Sequence, residues 1–570
     1  MPHRLGFGLG AIAILVLGAG AQFSSHVIPD VAWTLYLGQR ILDGARLYVD
    51  LIEVNPPLIV WYTLVPVRLS RLLGVADIAV YRAGICLLCL LSTWLCDQLL
   101  RSHALAMDPA RRRLLVLLVL FALIGLPRED FGEREHLMLV LSLPYVFLAA
   151  ARAGGERIPV RLAIGVGLLA GLGIALKPYF LTLWLAVEAW LLVGGRVRSL
   201  ADRIEALLVV SVCLLYLAAV FVVTPEYRTI VAALAGVYFG YLSNSLLVTA
   251  LLGDGAAVPI FALLAFFALR SVRGGGPLET ALAVATAGLY LSAVLQQKGW
   301  RYHFYPSMAT GMVLLGAMAL TVRRRAPFRI QRIYAAAVRV AAVLVPAFVL
   351  AGCARQIAVG RDAPYPADPD LARLVQVVRD LAPGGRVMVL SSNMASSFPL
   401  VTYAEVGWAS RFPSLWLLAA VYWDEVRAEG PVSYRPPRAR QGLEQYLSDA
   451  VTQDLAMARP EVILVLRSSP DVQGWGVRRL DYLRYLGMDP RFERLFGEYA
   501  PVADVGEYRV YRRGAVVSGP SLPPLHAAAA SPPPSVSAGV QWGGVSRAML
   551  AQAIVFCLAL SAAYWRESRA

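Results

Sequence analysis

Apolar runs of ~15 to 23 residues recur along most of the chain, each close to the ~20 residues a helix needs to cross a hydrocarbon core. They fall at about 7–23, 78–100, 114–127, 136–151, 162–176, 179–194, 205–223, 256–269, 278–295, 304–321, 334–353 and 547–564. The first run, beginning at Leu5, has no small-residue cleavage site leading into a soluble domain and is expected to be a retained span. The polar breaks between runs differ in content. Arginines concentrate in Arg101–Arg113 (RSHALAMDPARRR), Arg152–Arg161, Arg196–Arg203, Arg270–Arg273 and Arg323–Arg332. Arginine enrichment in short loops marks the cytoplasmic side, which places the intervening segments outside.

Parity then decides one ambiguous stretch. Leu58–Leu73 and Ile78–Leu100 both separate the first outer segment from the first arginine-rich loop, yet only an odd number of crossings is allowed. Leu58–Leu73 follows Pro56-Pro57, contains Pro66 and carries Arg68 and Arg71. Its uninterrupted apolar part, about ten residues, is too short to span, so an interfacial helix is expected. About twelve spans remain, with both termini inside. The outer segments are 24–77, 128–135, 177–178, 224–255, 296–303 and 354–546.

In the last of these the pattern changes. DPDLARLVQVVRDLA and DYLRYLG read as amphipathic helices, and RVMVLSS and EVILVLRS as buried strands. The expected fold class is a polytopic α-helical membrane protein with a C-terminal periplasmic α/β domain and a final transmembrane helix. Its expected parts are residues 1–353 in the membrane, 354–515 as the α/β domain, 516–546 as a Pro/Ala/Ser-rich linker, and 547–570 as a last span and tail.

Composition agrees with a bilayer as the main solvent. The 570 residues are 58% hydrophobic and 16% charged, with a mean hydropathy of +0.60, outside the range of soluble domains. A net charge of +15 would point to nucleic acid in a soluble protein. Here the charge lies in inter-span loops, and no nucleic-acid partner is expected. All six cysteines, Cys86, Cys89, Cys96, Cys213, Cys353 and Cys557, lie in or beside apolar runs, which indicates neither a disulfide framework nor a zinc site. Of 53 basic residues only Lys177 and Lys298 are lysine, and both fall on the outer face.

Four outer clusters could carry chemistry. Asp30 opens a helix in the first outer segment, with Asp50, Glu53 and Asn55 ahead of Pro56-Pro57. A carboxylate emerging beside the membrane can act as a general base or hold a cation, although Asp also serves as a plain helix cap. PREDFGEREH packs Asp130, Glu133, Glu135 and His136 with Arg128 and Arg134 between two spans, and charges at such a boundary tend to be functional. Lys177 ends one span where Pro178 opens the next; lysine snorkelling explains it equally well. QQKGWRYHFYP gathers Lys298, Arg301 and His303 with aromatic rings, a combination suited to a phosphate head group bearing a lipid chain. The glycine pattern GVGLLAGLG, Gly165–Gly173, lies within an apolar run and is read as a helix-packing surface. His26 and His103 have no partner at useful spacing.

Together these residues resemble the GT-C superfamily of polytopic glycosyltransferases, which take a sugar from a polyprenyl-phosphate donor. Members such as protein O-mannosyltransferases and lipid A aminoarabinose transferases carry an acidic residue early in the first outer loop, then interfacial helices and a Pro-Pro element. Asp30 matches the acidic position, YVDLIEVNPPL (Tyr48–Leu58) the downstream element, and Asp130–Glu135 a second acidic site at an outer span boundary. The likeness covers about residues 1–350, and GEREH and QQKGWRYH look more like uncharacterised bacterial members.

The resemblance implies inverting transfer of a hexosyl or pentosyl unit on the periplasmic face of the inner membrane, to a lipid, polysaccharide or protein acceptor. It implies Asp30 as base, with Glu133 or Glu135 orienting the acceptor or a cation such as Mg or Mn. Lys177, Lys298, Arg301 and His303 become candidates for the donor phosphate, and Asp50, Glu53, Asn55, Asp130 and His136 for substrate contacts. A polyprenyl-linked glycan flippase or transporter, or a non-catalytic envelope assembly protein, are the competing readings. No internal repeat of the kind transporters carry is visible.

Overall fold

A computed structural model describes residues 2–194, 203–269, 276–321 and 328–514, apart from 363–364, 366–367, 429, 469–471, 474–475 and 478. Helices α1 (Pro2–Ile14) and α2 (Gly20–Ser24), joined by one π-helical turn, lead into the segment 25–76. There lie α3 (Pro29–Leu42) and α4 (Leu58–Leu73), followed by α5 (Asp77–Leu100), α6 (Pro109–Ile124), α7 (Arg134–Ala153), α8 (Val160–Ile174), α9 (Leu181–Val193) and α10 (Ile204–Val223). Next come α11 (Tyr227–Gly240), α12 (Leu246–Leu252), α13 (Ala257–Ala268), α14 (Pro277–Leu295), α15 (Arg301–Thr321) and α16 (Arg329–Val359).

Each of the first eleven apolar runs is therefore helical, and Leu58–Leu73 is a helix of its own. Among the described residues seven helices are long and apolar enough to cross a membrane, or eight if α12 and α13, bent by 79°, count as one broken span. The helices α8 and α9 are shorter apolar elements. The run at 547–564 and the linker at 516–546 lie outside the described residues. The helices α11 and α12 fill the outer segment 224–255, for which the hydrophobic pattern gave no element.

Local chemistry sets the helix ends. Asp108 caps α6 by accepting the N–H groups of Ala110 at 2.9 Å and Arg111 at 3.2 Å, with Pro109 in the first turn. The glycine pattern in α8 does allow close packing: a Cβ on Gly167 would meet the Glu205 backbone at 2.7 Å, and one on Gly171 the Val212 side chain at 2.8 Å. The helix α7 runs through the centre, buried from Arg134 to Ala151. Exposed side chains on α10 (Leu214, Leu215, Val222) and α16 (Val343, Leu344, Phe348) form the outer apolar surface that lipid requires.

Beyond α16 the chain folds as α17 (Leu371–Leu381), β1 (Arg386–Leu390), α18 (Leu400–Ala404), β2 (Gly407–Trp408), α19 (Trp416–Val421), α20 (Trp423–Arg427), α21 (Gly442–Ala458) and β3 (Val462–Leu466). It ends with β4 (Val472–Gln473), β5 (Gly476–Val477), α22 (Tyr482–Gly487), α23 (Pro490–Phe496), β6 (Tyr499–Val505) and β7 (Tyr508–Arg513). The main sheet has the order β2-β1-β3-β7-β6. Strand β1 runs parallel to β2 and β3, whereas β7 is antiparallel to β3 and β6. All of β3 and all but the first residue of β1 are buried, as continuous apolar strands covered on both faces require.

Candidate functional site

Four separate pieces of the chain converge: the first turn of α3 meets the loop entering α7 across a small cleft, and Glu135 on α7 meets the turn between α8 and α9 and the start of α15. Asp30, Val31, Thr34 and Ile59 line one side, and Gly132, Glu133 and Arg134 the other. Asp30 sits just inside α3, whose first residue is Pro29. Among the described residues no hydrogen bond or ion pair engages its carboxylate. Burial raises its pKa above the usual carboxylate value, opposed by the positive charges of Arg134 and Lys177.

The loop into α7 is shaped by Gly132, which has φ +89° and whose absent Cβ would lie 2.7 Å from the Tyr81 ring. The Tyr81 hydroxyl donates to the Gly132 carbonyl at 2.6 Å, which fixes the approach to Glu133. Glu133 caps α7, accepting the Arg134 N–H at 3.3 Å. Its carboxyl is pushed well up by burial and by the Asp30 charge. Burial raises both facing carboxyls, opposed by Arg134 and Lys177 at Asp30 and by Arg134 at Glu133.

Glu135 is fully enclosed, with Lys177 Nζ at 2.9 Å and His303 Nε2 at 3.7 Å from its Oε1. Lys177 also donates to Gln296 Oε1 at 2.5 Å, and burial lowers its pKa. Arg134 Nη1, Glu133 Oε1, Glu135 Oε2 and both ring nitrogens of His303 are buried without a hydrogen-bond partner. Such atoms are few in a folded protein, and five of them fall on residues 133–135 and 303.

The other expected residues are committed to the protein. Arg301 lies 3.1 Å from Glu129 and 3.0 Å from Asp130, and burial lifts Asp130 to about 7. Lys298 donates to the Tyr238 carbonyl at 2.7 Å, to the Tyr241 carbonyl and to Ser243 Oγ at 3.1 Å, closing the C-terminal end of α11. Burial lowers Lys298 to about 8. His136 receives the Gly132 N–H on Nδ1 at 3.0 Å and lies 2.8 Å from the Leu123 carbonyl through Nε2, so both ring nitrogens serve the backbone. Glu53 is buried, accepting from Trp33 Nε1 at 2.6 Å and from both nitrogens of Asn55. Asp50 accepts the Arg46 N–H at 2.7 Å in an exposed turn. Among the described residues no group of three or more His, Cys, Asp or Glu side chains is arranged to hold a metal ion.

The sequence placed Arg134 in the acidic cluster without giving it a role, and did not single out Gln296 or Trp33. The available signal for Arg134 was an arginine on the arginine-poor face; Gln296 and Trp33 enter only through contacts distant in sequence.

No known family profile matches this sequence, and no curated protein matches it. Solved structures do. ArnT from Cupriavidus metallidurans bound to undecaprenyl phosphate is 16% identical with a TM-score of 0.54, covering 91% of this chain and 99% of that one. The apo state of the same protein gives 15% identity and 0.54 over the same shares. The arabinofuranosyltransferase AftD from Mycobacteria is 16% identical with a TM-score of 0.38, covering 90% of this chain and 42% of that one. Over nearly its whole length the chain shares with ArnT the fold of a multi-pass helical membrane part carrying a small C-terminal sheet.

Proposed function

We propose that the chain is an inverting glycosyltransferase that moves a sugar from a polyprenyl-phosphate donor to an envelope acceptor on the periplasmic face of the inner membrane. The observation that carries this reading is Asp30: a carboxylate bound to no other group among the described residues, near Arg134 and Lys177, lining the cleft. The likeness to ArnT, solved with undecaprenyl phosphate, supports the donor class.

In this reaction Asp30 takes the proton of the acceptor hydroxyl as its oxygen attacks the anomeric carbon. The bond from that carbon to the phosphate oxygen breaks on the opposite side, and the polyprenyl phosphate leaves with the electron pair. A positioned general base contributes about 10²- to 10⁴-fold in such a transfer. Lys177 and Arg134 face the leaving phosphate as fixed charges, which act strongly in a poorly hydrated cleft, and His303 adds a ring N–H donor beside them. Lys298 and Arg301 build the rim around them. Protonated Glu133 donates a hydrogen bond that orients the acceptor, and Glu135 holds Lys177.

The test is transfer by full-length protein in lipid nanodiscs, supplied with polyprenyl-phosphate sugars, with and without Asp30→Asn. Loss of transfer in the variant is expected. Unchanged transfer sinks the base assignment, and no transfer by the parent favours donor movement across the membrane without chemistry. The envelope sugar missing from a deletion strain identifies which donor to supply.

A further inference from the structure

The C-terminal α/β domain has no part in the chemistry just described, yet it touches the segment that carries Asp30 at both ends. The Tyr403 hydroxyl of α18 accepts the Val27 N–H at 2.8 Å, three residues before Asp30. At the far end the Arg411 carbonyl, just beyond β2, accepts the Ile52 N–H at 2.8 Å, immediately before Glu53. Arg411 is itself fixed by Asp454 of α21, which accepts its backbone N–H at 2.8 Å and its Nε–H at 2.9 Å.

Between these ends a third contact closes a ring. Phe398, fully buried in the loop after β1, packs against Trp33 at 5.0 Å and Tyr36 at 5.3 Å between ring centroids. Trp33 in turn donates to Glu53 at 2.6 Å. The path from Asp454 through Arg411, Ile52, Glu53 and Trp33 to Phe398 begins and ends in the α/β domain. Within the domain Phe398 also packs on Trp408 of β2, ring centroids 5.5 Å apart, three residues before Arg411.

A carboxylate that no protein group grips must owe its position to the backbone beneath it. Aromatic pairs of this kind contribute ~0.5–1.5 kcal/mol beyond their buried area. A misplacement of ~1 Å can cost about 10²-fold in rate. We propose that the α/β domain is a positioning element for the cleft: Phe398, Tyr403 and the Asp454-anchored carbonyl of Arg411 set α3 and Glu53 so that Asp30 faces the substrate. This rests on the transferase reading for its consequence, but the docking itself is measurable without it.

The test uses full-length protein in nanodiscs carrying Phe398→Ala, Phe398→Leu or Asp454→Asn, with Glu498→Ala on the exposed side of the same domain as control. Backbone hydrogen exchange is followed for 27–36, for 51–55 and for β3. Phe398→Ala and Asp454→Asn should raise exchange about tenfold in the two outer segments while β3 stays protected. They should also lower kcat about tenfold, leave the donor KM within about twofold, and move the acid limb of the pH profile down as water reaches Asp30. Phe398→Leu, which keeps an apolar contact, should restore most of both. Unchanged exchange in 27–36 and 51–55 overturns the docking. Raised exchange with unmoved kcat and pH limb in an active protein overturns the positioning role. An inactive parent overturns the transferase reading alone, and exchange still decides the docking.

Discussion

Lys177 Nζ lies 2.9 Å from Glu135 Oε1, with both side chains enclosed and the two positions 42 apart in sequence. The same ammonium reaches Gln296 at 2.5 Å, 119 residues further on. One lysine therefore joins the turn between α8 and α9, the first turn of α7 and the end of α14. A lysine merely snorkelling to the interface would keep its head in water. This one has given up water for a carboxylate and an amide, so its position is determined by the site.

Removing one partner of a buried pair leaves the other charge uncompensated, at a cost of about 3–5 kcal/mol. Lys177→Met should therefore lower the apparent Tm of the detergent-solubilised protein sharply. Adding Glu135→Gln should recover most of that loss, because no charge then remains buried alone. Lys177→Arg should fall between them, since a planar guanidinium does not replace a compact ammonium. A double variant no more stable than Lys177→Met would mean the two groups are not coupled.

With Asp30 as the proposed base, the pH dependence of kcat/KM follows from its ionisation. Only its ionised form accepts a proton, so activity is lost as pH falls through its pKa in the folded protein. Burial raises that pKa, which places the acid limb above the value of about 3.9 for a free aspartate. Arg134 pulls in the opposite direction, so Arg134→Met should move the limb to higher pH. A limb that stays in place or moves lower in Arg134→Met would remove Asp30 from the role of base.

Much of this arrangement was legible in the sequence because bilayer solvation imposes long apolar periods that need no tertiary information. Parity set Leu58–Leu73 apart from the spans before any fold was known. The acidic cluster and both lysines stood out for lying on the arginine-poor face. Which cations reach the cleft did not. Arg301 is drawn to Glu129 and Asp130, and Lys298 to the carbonyls ending α11, an element whose fourteen residues are too few for a span and gave no clear signal. The choice between Lys177 and Lys298 depends on contacts 119 and 60 residues distant, which no local pattern encodes.

Gly132 is the residue whose substitution should separate loop shape from charge. With φ +89° and the Tyr81 ring 2.7 Å from where a Cβ would stand, Gly132→Ala must either strain the backbone or push Tyr81 aside. The strain is worth about 1–3 kcal/mol. No ionisable group is altered, so kcat should fall through displacement of Glu133 while the pH limb set by Asp30 keeps its place. Tyr81→Phe, which loses only the 2.6 Å hydrogen bond to the Gly132 carbonyl, should show the same effect more weakly. Wild-type kcat in Gly132→Ala would mean that Glu133 does not contribute to transfer.

Sidedness can be tested where two exposed positions are expected on opposite faces. Pro109 opens α6 beside the arginine-rich loop, and Arg438 lies in the α/β domain; both are exposed. In a background lacking native cysteines, Arg438→Cys should react in intact cells with a maleimide that cannot cross the membrane. Pro109→Cys should react only after permeabilisation. The reverse pattern would turn Asp30 toward the cytoplasm, because Asp30 and the α/β domain share one face through the Val27–Tyr403 hydrogen bond. A cytoplasmic cleft would meet nucleotide-linked sugars directly and would have no need of a polyprenyl carrier, so this labelling result bears on the donor class as much as on topology.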